Sequence, residues 1–165
     1  MIGPVCVACS GNVLNPYEKE PPGTTSIVGP DYRSRGNVNY ERLEEMLVSS
    51  SGCEVIYTYF KPKELLIDVV VILGHGFMRS KTRMAPLARH LVSWGLPVVN
   101  LEFCNSKFWA GNHDLNAADM VAVAQKKDTG KVIYVGFSAG GLAAILATNL
   151  DNKINKPIID GTVFD

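Results

Sequence analysis

From residue 65 to the end of the chain, apolar positions fall into short runs that alternate with stripes at helical spacing. Leu65 to Leu73 is a nearly continuous apolar run broken only by Asp68. That pattern predicts a strand buried on both faces, as in a parallel sheet. Residues 80–94 follow with Met84, Leu87, Ala88, Leu91 and Val92 on one stripe of a 3.6-residue period, with Ser80 as N-cap and Gly95 as stop. Pro97 to Leu101 reads as the next strand, and Glu102 to Asp114 as a polar, aromatic loop. Leu115, Ala118, Val121 and Ala122 stripe a second helix ending near Thr129-Gly130. Lys131 to Val135 is a further strand. Ala139, Leu142, Ala143, Leu146, Ala147 and Leu150 stripe a third helix, and Gly161 to Phe164 begins one more strand.

Upstream the signals differ. Residues 10–39 are rich in Pro, Gly, Asn, Ser and Thr, with Pro21-Pro22-Gly23 and Gly29-Pro30 as turn signals, and read as irregular. Residues 40–48 suit a strand or a helix, Ser49 to Gly52 makes a turn, and Cys53 to Phe60 is a strand ended by Pro62. The expected organisation is an irregular leader over 1–39 and an α/β domain over 40–165. In that domain a mostly parallel sheet carries helices on both faces.

Composition adds mainly exclusions. The 165 residues carry 16 Lys+Arg and 16 Asp+Glu, so the formal net charge is zero and nothing attracts nucleic acid. No apolar run approaches the roughly 18 residues of a transmembrane helix. Cys6, Cys9, Cys53 and Cys104 are too few for a disulfide scaffold. Cys6-Val-Ala-Cys9 lacks both the second ligand pair of a zinc site and the strand–helix context of a redox motif. Val7-Ala8-Cys9-Ser10-Gly11 resembles the lipid-attachment end of a bacterial lipoprotein signal, although Met1 to Val5 is too short for its apolar core. Cys9 is thus a candidate lipid anchor, which tilts the expected location toward extracytoplasmic rather than cytoplasmic.

The chemistry centres on Gly136-Phe137-Ser138-Ala139-Gly140. This G-x-S-x-G lies between a strand and an amphipathic helix, the context that gives the motif meaning. A serine projecting from so sharp a turn takes strained backbone angles, and its neighbours two residues away must be small. At the helix N-terminus, backbone N–H groups face any developing negative charge. Ser138 is the candidate nucleophile and the Ala139 N–H a candidate oxyanion donor. Gly74-His75-Gly76-Phe77, after the longest apolar strand, offers a second donor in the Phe77 N–H. The His75 side chain is expected to brace that loop. His75, Gly76, Met78, Phe137 and Trp109 are expected to border a substrate cleft, and Phe103 and Phe108 lie in the same loops.

Together these motifs resemble the α/β-hydrolase superfamily over about residues 53–165. His75-Gly-Phe-Met-Arg-Ser80, Ala85-Pro-Leu-Ala-Arg-His-Leu91 and Ser93-Trp-Gly-Leu-Pro-Val-Val99 look like its dienelactone-hydrolase, chlorophyllase and polyester-hydrolase branch. Gly111-Asn-His-Asp and Asn116-Ala-Ala-Asp119 are similar to a segment of bacterial members. The resemblance implies hydrolysis of small carboxylic esters through an acyl-enzyme on Ser138, without metal or organic cofactor.

The superfamily places its acid and then its histidine after the nucleophile, yet His75, His90 and His113 all precede Ser138. His90 reads as a surface residue and His113 as a weak candidate base. Asp151 and Asp160 read as surface loop residues, and Asp165 as a minor acid candidate. The expectation is the N-terminal part of a serine esterase, inactive by itself. A non-catalytic binding module of the same fold is the alternative.

Overall fold

The computed structural model describes residues 34–65, 67–104, 112–127 and 129–151, together with the backbone of 161–163. Its strands are β1 (Tyr40–Val48), β2 (Glu54–Pro62), β3 (Val70–Gly74), β4 (Val98–Leu101), β5 (Val132–Phe137) and β6 (Gly161–Val163). Its helices are α1 (Lys81–Ser93), α2 (His113–Lys127) and α3 (Ala139–Leu150). The six strands form one mixed sheet in the order β1-β2-β4-β3-β5-β6. β1 and β2 are antiparallel to their neighbours, whereas β4, β3, β5 and β6 run parallel.

The segment over 40–48 is a strand, paired along its whole length with β2 from Tyr40↔Pro62 to Val48↔Glu54. β3 is shorter than the apolar run suggested. It begins at Val70, and Leu65 and Ile67 are exposed. The reason lies at Asp68, whose carboxylate accepts the Gly130 N–H at 3.2 Å and fastens the turn before the strand. Once inside the sheet, all five residues of β3 are buried, each apolar side chain stabilising by about 1.5–3 kcal/mol.

Alternate residues of β3 feed two cores. Val71 and Leu73 pack with Ala88 and Val92 of α1, Val98 and Phe60. Val70 and Ile72 join Met120 and Ala124 of α2 and Ala143 and Ala147 of α3. α1 therefore covers one face of the sheet, and α2 and α3 the other. This follows from the strand order. The chain leaves β3 toward β4 on one side, then returns past β3 to β5 on the other, and right-handed crossovers in opposite directions put their helices on opposite faces.

Three helix faces differ from the predicted stripes. In α1, Leu87 is exposed while Ala88 and Val92 carry the contact. In α2 the buried arc is Ala117, Met120, Val121, Val123 and Ala124; of the expected Leu115–Ala118–Val121–Ala122 stripe only Val121 lies in it, because this helix packs on both the sheet and α3. In α3 the buried positions are Gly140, Gly141, Ala143, Ala144 and Ala147, and Leu142 and Leu150 point outward. Small residues let the helix axis approach the sheet closely, which moves the larger leucines off the contact.

Residues 34–39, on the leader side of the expected boundary, hydrogen-bond to the domain. The Gly36 N–H donates to Ser93 Oγ (3.0 Å), the Val38 N–H to the Ser93 carbonyl (2.9 Å), and Trp94 Nε1 to the Ser34 carbonyl (3.0 Å). A Cβ at Gly36 would fall 2.1 Å from the Ser93 carbonyl oxygen, so this approach requires glycine.

A disulfide joins Cys53, before β2, to Cys104, after β4, with Cα atoms 6.5 Å apart. Beside it, the buried Asp119 carboxylate accepts hydrogen bonds from Ser49 Oγ (2.5 Å) and Ser51 Oγ (2.8 Å), tying the β1–β2 turn to α2. Burial holds the Asp119 carboxyl above its ordinary range despite these two donors. Among the described residues, no helix is long and apolar enough to cross a membrane.

Candidate active site

β3 and β5 are neighbours, with Gly74 opposite Gly136 at their carboxyl ends. From this pair the chain diverges, from β3 toward α1 on one face and from β5 into α3 on the other. The crevice outside such a divergence is where open α/β sheets bind ligands.

Ser138 stands at this point. Its φ of 53° and ψ of −119° lie outside the regions that L-residues ordinarily occupy. A conformation of this kind costs about 1–3 kcal/mol and persists only where its surroundings over-determine it. Those surroundings are glycines. A Cβ at Gly136 would lie 2.0 Å from the Gly140 carbonyl oxygen, and a Cβ at Gly140 would lie 2.5 Å from the carbonyl oxygens of both Gly74 and His75. The first turn of α3 thus rests directly on the end of β3. The Ser138 carbonyl accepts the Gly141 N–H at 2.8 Å, which starts the helix and leaves the serine side chain exposed beyond the sheet.

The glycine loop after β3 meets the serine turn. A Cβ at Gly76 would lie 3.1 Å from Phe137 Cδ1 and 3.4 Å from Ser138 Cβ, so the two loops are in van der Waals contact. Phe77, Met78 and Phe137 are exposed around this junction, and Met78 also has a positive φ of 51°.

His75 is buried, and its ring is committed to holding the loop. Nε2 accepts the Phe103 N–H at 3.1 Å, and Nδ1–H donates to the Gly76 carbonyl at 2.9 Å. Glu102 Oε1 lies 3.4 Å from Nε2. The Phe103 ring packs beside the imidazole with centroids 5.0 Å apart, and its Cζ would lie 2.7 Å from a Cβ at Gly74. The side chain that braces the loop therefore also ties it to the segment after β4.

Glu102 was missed by sequence reasoning. Ser80 occupies the N-cap position of α1, but its side chain makes no capping bond. Glu102 Oε2 instead accepts the Lys81 N–H at 2.8 Å. Burial pushes the Glu102 carboxyl upward. The neighbouring His75 ring, the Lys81 N–H bond and the Lys81 charge outweigh that, and its value falls below the usual carboxylate range. A lone acidic residue after a strand gives no sequence signal of a helix cap 21 positions away.

The remaining site residues divide plainly. His113 opens α2, and its Nδ1 is buried without a partner among the described residues. Asn112 is the cap of that helix, Oδ1 accepting the Leu115 N–H at 3.1 Å. Asp151 is buried, not a surface residue, and accepts the Tyr134 hydroxyl proton at 2.8 Å. Burial, with that carboxylate second, drives the Tyr134 phenol upward. Cys9, Phe108, Trp109, Asp160 and Asp165 lie outside the described residues.

Among the described residues, Cys53, Cys104 and Asp119 bring three metal-ligand atoms within 4.8 Å of one another. With both sulfurs in a disulfide and the carboxylate engaged by two serines, that trio offers a cation no thiolate.

No family model matches the chain, and no curated protein does. Solved structures do. A cold-adapted esterase from an Arctic intertidal metagenomic library, bound to polyethylene glycol, superimposes with a TM-score of 0.55 at 20% identity, over 73% of this chain and 63% of that one. An esterase from Pyrococcus furiosus gives 0.58 at 19% identity, over 73% and 53%. Brefeldin A esterase, a bacterial homologue of human hormone-sensitive lipase, gives 0.54 at 22%, over 73% and 38%. The chain spans less than two thirds of the length of each. It has the α/β-hydrolase fold.

Proposed function

We propose that this chain carries the nucleophile half of a serine hydrolase acting on small carboxylic esters. The observation that carries the reading is the backbone of Ser138, held at φ 53° and exposed at the β5–α3 junction against the Gly76 loop. Ser138 Oγ attacks the ester carbonyl, and the N–H groups of Phe77 and Ala139 receive the oxyanion. Two such donors account for several kcal/mol of transition-state stabilisation. Because the His75 ring is bound within its own loop, that residue and Gly76 border substrate through their backbone, while Met78, Phe137 and Trp109 supply apolar surface. The esterases of similar fold support the reaction class.

A serine hydroxyl needs a base and an orienting acid. No histidine follows Ser138, and of the later aspartates Asp151 is bonded to Tyr134. The reading therefore requires a base from outside the described residues, and an acid for which Asp165 is a minor candidate.

The test compares the 165-residue chain with one extended by its in-frame continuation. Fluorophosphonate labelling is read on the Ser138 peptide, and hydrolysis on p-nitrophenyl butyrate. The extended chain is expected to be labelled and to turn over, both lost in Ser138→Ala, and the shorter chain to turn over negligibly. An extended chain showing neither would overturn the enzyme reading in favour of a non-catalytic binding module.

A further inference from the structure

The loop that carries the Phe77 N–H runs from His75 to Lys81, and its shape is imposed from its ends. In its middle the Gly76 carbonyl accepts the Arg79 N–H at 3.1 Å, which closes a turn over Phe77 and Met78. Met78 is the third residue of that turn and has a φ of 51°, in the region that favours glycine. Its side chain is 73% exposed, so packing of that side chain does not hold the backbone there. A residue strained in this way persists only where its surroundings over-determine it.

Those surroundings are the two ends of the loop, and one carboxylate meets both. Glu102 Oε2 accepts the Lys81 N–H at 2.8 Å, and Glu102 Oε1 lies 3.4 Å from His75 Nε2. Glu102 stands on a fixed base. Its own N–H donates to the Ile56 carbonyl of β2 at 2.9 Å, and two residues later Cys104 is tied to Cys53. The sheet thus sets the carboxylate, and the carboxylate sets the separation of the two feet of the loop.

The consequence reaches the oxyanion donor through a planar peptide. The Phe77 N–H belongs to the same rigid unit as the Gly76 carbonyl, so fixing one end of the unit directs the other. That carbonyl accepts from His75 Nδ1–H at 2.9 Å and from the Arg79 N–H at 3.1 Å. One of these donors sits on each side of the turn, and Glu102 joins the two sides. A Cβ at Gly76 would lie 3.4 Å from Ser138 Cβ, so a swing of this peptide moves the donor relative to the nucleophile.

We propose that Glu102 is a positioning residue for the Phe77 oxyanion donor, acting through His75 and Lys81. This role rests on the hydrolase reading of Ser138. A negative charge does not favour an oxyanion, so what residue 102 contributes is an acceptor oxygen at the right reach, which glutamine shares.

The experiment measures kcat and KM on p-nitrophenyl butyrate in the extended chain. Glu102→Ala is expected to lower kcat at least tenfold with KM within threefold of the parent, since full loss of one oxyanion donor costs about 10²–10³-fold. Glu102→Gln should keep kcat within threefold. Val92→Ala, in the α1 core, supplies the comparison for lost stability and should leave kcat within twofold at an equal or greater loss of Tm. In the 165-residue chain, hydrogen exchange in Glu102→Ala should speed at least fivefold more at the Arg79 amide than at the Ile72 amide of β3. An unchanged kcat in Glu102→Ala, no recovery in Glu102→Gln, an equal loss in Val92→Ala, or equal acceleration of exchange at Arg79 and Ile72 would each overturn the role. A parent extended chain that neither turns over nor labels would overturn the hydrolase reading and this role with it, whereas an active parent with an unaffected Glu102→Ala overturns the role alone.

Discussion

The Phe103 backbone N–H donates to His75 Nε2 at 3.1 Å, so the loop after β3 and the segment after β4 share one buried imidazole. Replacing that ring strands the Phe103 N–H and the Gly76 carbonyl together. His75→Ala is expected to lower the free energy of unfolding by about 2–4 kcal/mol, measured by urea denaturation. His75→Gln, which still offers a donor and an acceptor, should recover part of the loss.

Glycine substitutions should separate by location. Gly136→Ala drives a methyl into the Gly140 carbonyl. Its cost should reach or exceed the top of the about 1–3 kcal/mol typical of overpacking. Gly52→Ala meets nothing within 4 Å but keeps a φ of 78°, and should cost about 1 kcal/mol. Thermal melts of the two variants test the order.

The strain at Ser138 predicts the opposite sign. Ser138→Gly relieves a backbone that only glycine adopts without cost. It should raise stability by about 1 kcal/mol while removing the hydroxyl. A variant less stable than the parent would show that the serine side chain stabilises the turn.

Glu102 sets a pH dependence. Its folded carboxyl lies below the ordinary value of 4.5, so the folded state binds its proton less readily than the unfolded chain. Stability from this group is therefore present above about pH 4.5 and fades as pH falls through the lowered folded value. Glu102→Gln keeps an acceptor for the Lys81 N–H but has no charge to titrate. Parent and variant should differ by about 0.5–1 kcal/mol at pH 7, and converge as pH falls below the lowered folded value in denaturation curves run across pH.

The Cys53–Cys104 disulfide should contribute about 2–4 kcal/mol. Non-reducing peptide mapping should recover the two cysteines linked, and dithiothreitol should lower Tm.

The parts of this fold that were legible beforehand are those where a local pattern and a tertiary demand coincide. β3, β5 and the three helices announce themselves through apolar periodicity, and Gly136 to Gly140 through the spacing that a tight strand-to-helix turn imposes. What escaped depends on partners distant in sequence. The arc that α2 buries is set by its contact with α3, the outward turn of Leu142 and Leu150 by the close approach of small residues, and the burial of Asp151 by Tyr134. Glu102 shows the same limit at the site, since nothing near it marks a residue that caps α1. The serine could be picked out locally, and the loop-to-loop brace by His75 rested on a bond to Phe103, 28 residues away.

The pairing of Gly74 with Gly136 has a kinetic consequence. A shift of one residue between β3 and β5 would turn Val71 and Leu73 into the wrong core and carry the Gly76 loop off Ser138 in the same movement. A collapsed state with helices formed and this ladder unset would hold Ser138 and the Gly76 loop without bringing them together. Competence to react with a serine-directed probe should therefore appear during refolding together with final core packing, and not with the earlier recovery of helical signal.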